Sequence, residues 1–196
     1  MVLYPLIFLG DTHGFINDFI KQKEVIEEIM PEFILSENLQ NISLNSKEEY
    51  AQILKSKKIS DNISFEELEP LIKLCDNKNI KIIGMDLPNF GFDEDLQSKI
   101  KNQKNLTKED QIKLKDILKV REETHISKIK EYLNKTNKPL LIIVGSWHLR
   151  KNSHLRKNFS NYKVIYPSNL KGKLLTKPPK NIKDFKYSEE TNEIKN

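Results

Sequence analysis

Apolar residues along this chain follow two rhythms. Five short runs are dense in aliphatic side chains: 5-PLIFLG-10, 33-FILSE-37, 80-IKIIGMD-86, 139-PLLIIVG-145 and 162-YKVIYP-167. The second, third and fourth are continuous, as strands buried on both faces of a parallel sheet must be. Between the runs the spacing changes to that of helices. Residues 17 to 30 set Phe19, Ile20, Val25, Ile26 and Ile29 on one helical face, with Asn17 as the N-cap. A second amphipathic helix is expected over 65-FEELEPLIKLCDNKN-79. The longest spans residues 106 to 133: Thr107 and Asp110 form a capping box at its start, and Ile112, Leu114, Ile117, Leu118 and Ile126 mark its inner side.

Alternating buried strand and helix predicts an α/β fold, a single domain over 1–170 with a mostly parallel central sheet flanked by helices. Residues 38–64 are polar and read as a short helix plus loop. The segment 87-LPNFGFDEDLQSK-99 reads as an excursion over the sheet edge. Residues 171–196 are rich in Lys and Pro and read as a loosely packed tail.

Composition narrows the classes of function. The chain has 196 residues, enough for one sizeable domain, with 37% hydrophobic and 31% charged residues. Its net charge of +5 comes from dispersed Lys with no tight basic block, so no specific nucleic-acid partner is expected. Cys75 is the single cysteine, which excludes an intrachain disulfide and a cysteine metal knuckle. Its place in an amphipathic helix makes it a buried thiol. No apolar run approaches the roughly 18 residues of a membrane span, and the N-terminal run reads as a strand, not a signal peptide. The expected setting is cytoplasmic, away from membranes.

Candidate chemistry gathers at the strand ends, where open α/β sheets bind their ligands. The first run leads to Asp11 and His13, the second to Glu37, the third to Asp86 and the fourth to His148. One motif recurs: Gly10-Asp11-Thr12-His13 after the first strand and Gly145-Ser146-Trp147-His148 after the fourth. A glycine there is expected to let the backbone turn sharply, so that the histidine three residues on reaches back over the edge. Two such imidazoles with Glu37 or Asp86 would bind one divalent cation of the Mn, Zn or Co type. Without a metal they would serve as general base, orienting carboxylate and general acid.

Two resemblances compete. Asp11-Thr12-His13-Gly14 resembles the first metal-ligand motif of calcineurin-like phosphoesterases, but no later Gly-Asp or Gly-Asn-His element follows, which disfavours that family. The double G-x-x-H motif resembles the superfamily that joins TraB/GumN-type proteins, TIKI metalloproteases, erythromycin-esterase-like hydrolases and ChaN-like haem-binding proteins. The segments 8-FLGDTHGFINDF-19, 31-PEFILSENL-39, 82-IIGMDLP-88, 120-VREETHISKIKEYL-133 and 141-LIIVGSWHLR-150 are similar to its motifs, in order. Departures are Asp11 where the TraB and TIKI branches have Thr, and Glu122 where Asn or Asp is usual after the arginine.

The resemblance implies a ChaN-like or erythromycin-esterase-like fold and a hydrolase of an amide or ester in a small-molecule or peptide substrate, with or without a metal. The alternative it implies is a non-catalytic binder of metal, haem or another small ligand. His13, Glu37, Arg121 and His148 are the expected catalytic residues, and His13, Glu37, Asp86 and His148 the expected metal ligands. His13 and His148 would flank a water, Glu37 would ligate the ion or orient His13, and Arg121 would stabilise the oxyanion. Plain structural roles stand beside these. His13 would be a turn residue, Asp11 or Glu37 a helix cap, Asp86 before Leu87-Pro88 a turn former, and Arg121 a partner of neighbouring acids. Glu122 and His125 read as a surface pair, Trp147 as a packing or pocket-wall residue, and His154 as solvated.

Overall fold

The computed structural model describes residues 4–12, 16–60, 63–102, 104–167 and 188–192. All five expected strands form: β1 (Leu6–Asp11), β2 (Phe33–Ser36), β4 (Lys81–Gly84), β5 (Leu140–Gly145) and β6 (Tyr162–Tyr166). They lie parallel in the order β4-β2-β5-β1-β6. Two further strands, not foreseen, close the edges antiparallel: β3 (Ser43–Leu44) against β4, and β7 (Ser188–Asn192) against β6. β7 falls within the Lys- and Pro-rich stretch; residues 168–187 and 193–196 around it lie outside the described residues.

Side chains alternate across the strands and feed two cores. Ile7, Leu9, Ile34, Ile82, Leu141 and Ile143 point to one face, covered by α1 (Ile16–Ile29), α2 (Lys47–Ser56) and α3 (Phe65–Lys78). Leu6, Phe8, Leu35, Ile83, Ile142 and Val144 point to the other, where Ile126 and Ile129 of α5 (Lys108–Leu133) and Leu155 of α6 (His154–Lys157) meet them. With cover on both faces, the near-continuous apolar runs of the strands follow directly. Cys75 is fully buried in α3, and burial pushes its thiol up to about 12.

The helix ends largely follow their caps. Thr107 and Asp110 make the expected capping box of α5, and Ser46 with Glu49 makes another on α2. α1 begins at Ile16, so Asn17 lies inside its first turn and is not the cap. Residues 38–64 hold β3 and α2. The excursion at 87–99 is a 3-10 turn (Pro88–Gly91) followed by the start of α4 (Glu94–Lys101), which Asp93 caps through Leu96 N–H. The expected inner side of α5 needs correcting at its N-terminal end, because Ile112 is exposed. Leu114, Ile117 and Leu118 are half-buried, and after the cap residue Asp110 full burial resumes at Arg121 and Glu122.

Candidate functional site

Each strand end delivers its residue through a short, tied turn. β2 passes at once into a 3-10 turn, Glu37–Leu39, all of it buried. Beyond β4, Met85 N–H donates to Ser36 O and Asp86 N–H donates to Gln40 O (3.2 and 3.0 Å), so Asp86 is anchored to the turn that carries Glu37. β5 passes into a 3-10 turn, Ser146–Leu149, that folds His148 back over the sheet edge. α5 crosses this edge and contributes Arg121, Glu122 and His125.

The motif glycines have a different purpose from the one expected. Gly145 sits at φ −50 and ψ 132, which any residue can adopt. A Cβ there would stand 2.9 Å from Glu37 Oε1, and one on Gly10 would stand 2.7 Å from Ser146 Oγ. Both are needed for room, so that the carboxylate and the turn after β5 can press against the strand ends.

Two pairs of charged groups result. Asp86 accepts from Arg121 Nε at Oδ1 and Oδ2 (3.0 and 2.9 Å) and from Arg121 Nη2 at Oδ2 (2.5 Å), while the guanidinium lies over the Phe90 ring at 4.7 Å. Glu122 Oε1 meets His148 Nδ1 at 3.1 Å and accepts from Arg150 Nη1 at 3.3 Å. His148 Nε2 then faces Glu37 Oε2 at 3.8 Å, beyond direct hydrogen-bond reach. The His125 and His148 rings are 5.4 Å apart, edge to face. Glu37, Asp86, Arg121, Glu122, His125 and His148 are all buried.

Burial pushes the Asp86 carboxyl up, but contacts with His125 and Arg121 outweigh it and hold the group well below the usual carboxylate range. Glu122 follows the same logic. Burial raises it, and His148 and Arg150 bring it down on balance. Burial disfavours the Arg121 cation, yet Asp86, Glu37 and Glu122 raise it above its ordinary value. All three groups are therefore charged at neutral pH. Three buried carboxylates, Glu37, Asp86 and Glu122, share this edge with the guanidinium groups of Arg121 and Arg150.

The donor set fits a metal ion. Ligand atoms of Glu37, Asp86 and His125 all lie within 4.8 Å of one another. His125 is 0% exposed, and neither ring nitrogen has a well-formed hydrogen bond; Nε2 lies 3.1 Å from Asp86 Oδ2 but at a skewed angle. A buried imidazole in that state needs a partner. An ion held by one nitrogen and two carboxylate donors would supply it, and the mixed set suits Zn, Mn or Co.

Of the residues expected from the sequence, Glu37, Asp86, Arg121 and His148 are gathered at one edge. His13 lies outside the described residues. Asp11 ends β1 opposite Gly145 in register and accepts from Gln22 Nε2 and Asn38 Nδ2, each at 3.0 Å. Glu122 and His125, read from the sequence as a surface pair, are instead buried in the centre of the cluster. Helical spacing from the apolar pair Ile126 and Ile129 puts them on the inner face (Ile126 leads to Glu122, and Ile129 to His125 and then Arg121), but what that face meets is set by where α5 crosses the sheet. Trp147 is half-buried at the rim, and His154 is exposed as expected.

No family model matches the chain, and no curated protein matches it significantly in sequence. Among solved structures it is similar to ChaN of Campylobacter jejuni, in a structure described as showing cofacial heme binding. The likeness has a TM-score of 0.53 at 14% identity, over 96% of this chain and 88% of that one. At that identity it shows the fold: a single ChaN-like α/β domain with a seven-stranded, mostly parallel mixed sheet. The ChaN-like branch of the motif resemblance thus has a structural counterpart. No helix among the described residues is long and apolar enough to cross a membrane.

Proposed function

We propose that the protein is a hydrolase that cleaves an amide or ester by attack of a water held between His148 and Glu37. One observation carries this reading: Glu122 holds His148 Nδ1 at 3.1 Å while Nε2 faces Glu37 Oε2 at 3.8 Å. The Glu122 carboxylate fixes the proton on Nδ1, which leaves the Nε2 lone pair as a base. Two electron-rich atoms 3.8 Å apart bridge naturally through a water, and Glu37 orients it.

Nε2 takes one water proton as the oxygen bonds to the carbonyl carbon and the C=O electron pair moves onto oxygen. Collapse of that oxyanion breaks the bond to the leaving alkoxide or amine, which takes the proton back from Nε2. Arg121 Nε and Nη2 are committed to Asp86, so Nη1 is the donor left for the oxyanion. A divalent ion held by Glu37, Asp86 and His125 would polarise the carbonyl or the water. A haem-binding role is less well supported. His125 and His148 are 0% and 4% exposed and each faces a carboxylate, so neither presents an open axial position.

The test is turnover of a panel of chromogenic esters and amides, with and without Zn, Mn or Co. Wild-type protein is expected to turn over at least one, and His148→Ala to be about 10²- to 10⁴-fold slower while remaining folded. Equal rates in the two proteins, or no turnover in any arm, would reject the hydrolase.

A further inference from the structure

We infer that Arg150, laid flat on Trp147, is the anchor for an oxyanion on the substrate, and that the substrate class is therefore anionic: a carboxylate or a phosphate monoester. The inference rests on the hydrolase reading for the word substrate, but the binding it describes does not depend on turnover.

Arg150 differs from every other charged group of the cluster. Its side chain is 37% exposed, whereas that of Glu122, its ion-pair partner, is 5% exposed and that of Arg121 is 9% exposed. It is nevertheless held rigidly. Nη1 donates to Trp147 O at 2.9 Å and to Glu122 Oε1 at 3.3 Å, and the guanidinium carbon lies 3.6 Å from the centre of the indole ring. Stacking and two hydrogen bonds fix the plane of the group, so little side-chain freedom remains to be lost on binding.

All of these bonds use one nitrogen. Among the described residues, Nε and Nη2 make no hydrogen bond, so one edge of the fork is left for a planar or tetrahedral oxyanion, which it suits bidentately. Arg150 also adjoins the base, on the side of the His148 ring away from Glu37. Glu122 Oε1 contacts both Arg150 Nη1 and His148 Nδ1, so a single carboxylate oxygen separates anchor from base. A purely neutralising partner for Glu122 would need neither the stack nor the outward edge.

Trp147 is the single tryptophan of the chain, so its fluorescence reports on the stack without labelling. Wild-type protein is titrated at constant ionic strength with N-acetylglycine, with methyl phosphate, and with the uncharged methyl ester of N-acetylglycine. A saturable change in emission is expected with at least one of the two anions and none with the ester; the anion that acts identifies the class. Arg150→Lys keeps the charge opposite Glu122 but loses the planar fork, and is expected to bind about tenfold more weakly at unchanged thermal midpoint. Arg150→Gln is expected to show no saturation.

No response to either anion, an equal response to the ester, or wild-type affinity in Arg150→Lys would overturn the anchor. His148→Ala separates the two readings, because it is expected to bind the anion as wild type does while turnover is lost. Anion binding without turnover in the wild type would reject the hydrolase and leave the anchor standing.

Discussion

Two buried polar networks flank the centre of the sheet, and they are built on opposite terms. Beside β6, Arg156 donates from Nε to Tyr162 Oη (3.1 Å) and from Nη1 to Leu149 O (3.0 Å) and Glu190 Oε2 (2.9 Å), while Tyr166 Oη donates to Leu149 O (2.8 Å). Burial, with Glu190 nearby, pushes the Tyr166 phenol up to about 12, so it remains a proton donor at neutral pH. Donors there meet acceptors. At the ends of β2, β4 and β5, one histidine faces a carboxylate across a gap and a second lacks a well-formed hydrogen bond. A satisfied network specifies structure; an incompletely satisfied one could be completed by a bound group.

That contrast can be broken in three ways, in order of expected effect. Arg156→Met should lower stability by about 2 kcal/mol, because it removes the buried hydrogen bonds to Tyr162 Oη and Leu149 O. Urea denaturation would measure this, and activity per folded molecule should be retained. A shift under about 0.5 kcal/mol, within the ordinary range for a surface change, would mean the β6 network is not structural after all.

Asp86→Asn tests the site through pH. The folded carboxyl of Asp86 titrates below its unfolded value, so its charge stabilises fully above the ordinary carboxylate range near pH 4. That contribution is lost as pH falls through the lowered folded value. The gap in stability between wild type and Asp86→Asn should therefore be constant at neutral pH and shrink in acid. A gap that stays the same down to the acid limit would show that Asp86 is not held charged by Arg121 and His125.

The smallest structural change is Gly145→Ala. Its methyl would stand 2.9 Å from Glu37 Oε1 and must displace the carboxylate. Turnover should fall about tenfold, since small misplacements at a reacting centre are felt strongly. The thermal midpoint should move little. Unchanged turnover would detach Glu37 from the chemistry.

The strands and long helices were legible because burial on two faces forces continuous aliphatic runs and caps leave local marks such as Thr107 with Asp110. The edge strands were not: Ser43–Leu44 is two residues long, and Ser188–Asn192 is a polar run whose pairing depends on β6. In the site, Glu37, Asp86 and His148 were readable as residues just past strand ends. Glu122 and His125 were not, because acids and histidines on a charged helix look the same whether they face water or other polar groups. Only the crossing of α5 over the strand ends distinguishes the two, and that is a property of topology.

This has a consequence for α5 itself. A helix usually joins a sheet through an apolar stripe, a joint indifferent to what is dissolved around it. Here the joint is apolar at Ile126 and Ile129 but ionic from Arg121 to His125. Whatever proton, ion or substrate completes the cluster also tightens the attachment of the helix, and by thermodynamic linkage the strength of that attachment sets how firmly the visitor is held. α5 is in that sense a clasp whose closure and whose cargo share one free energy.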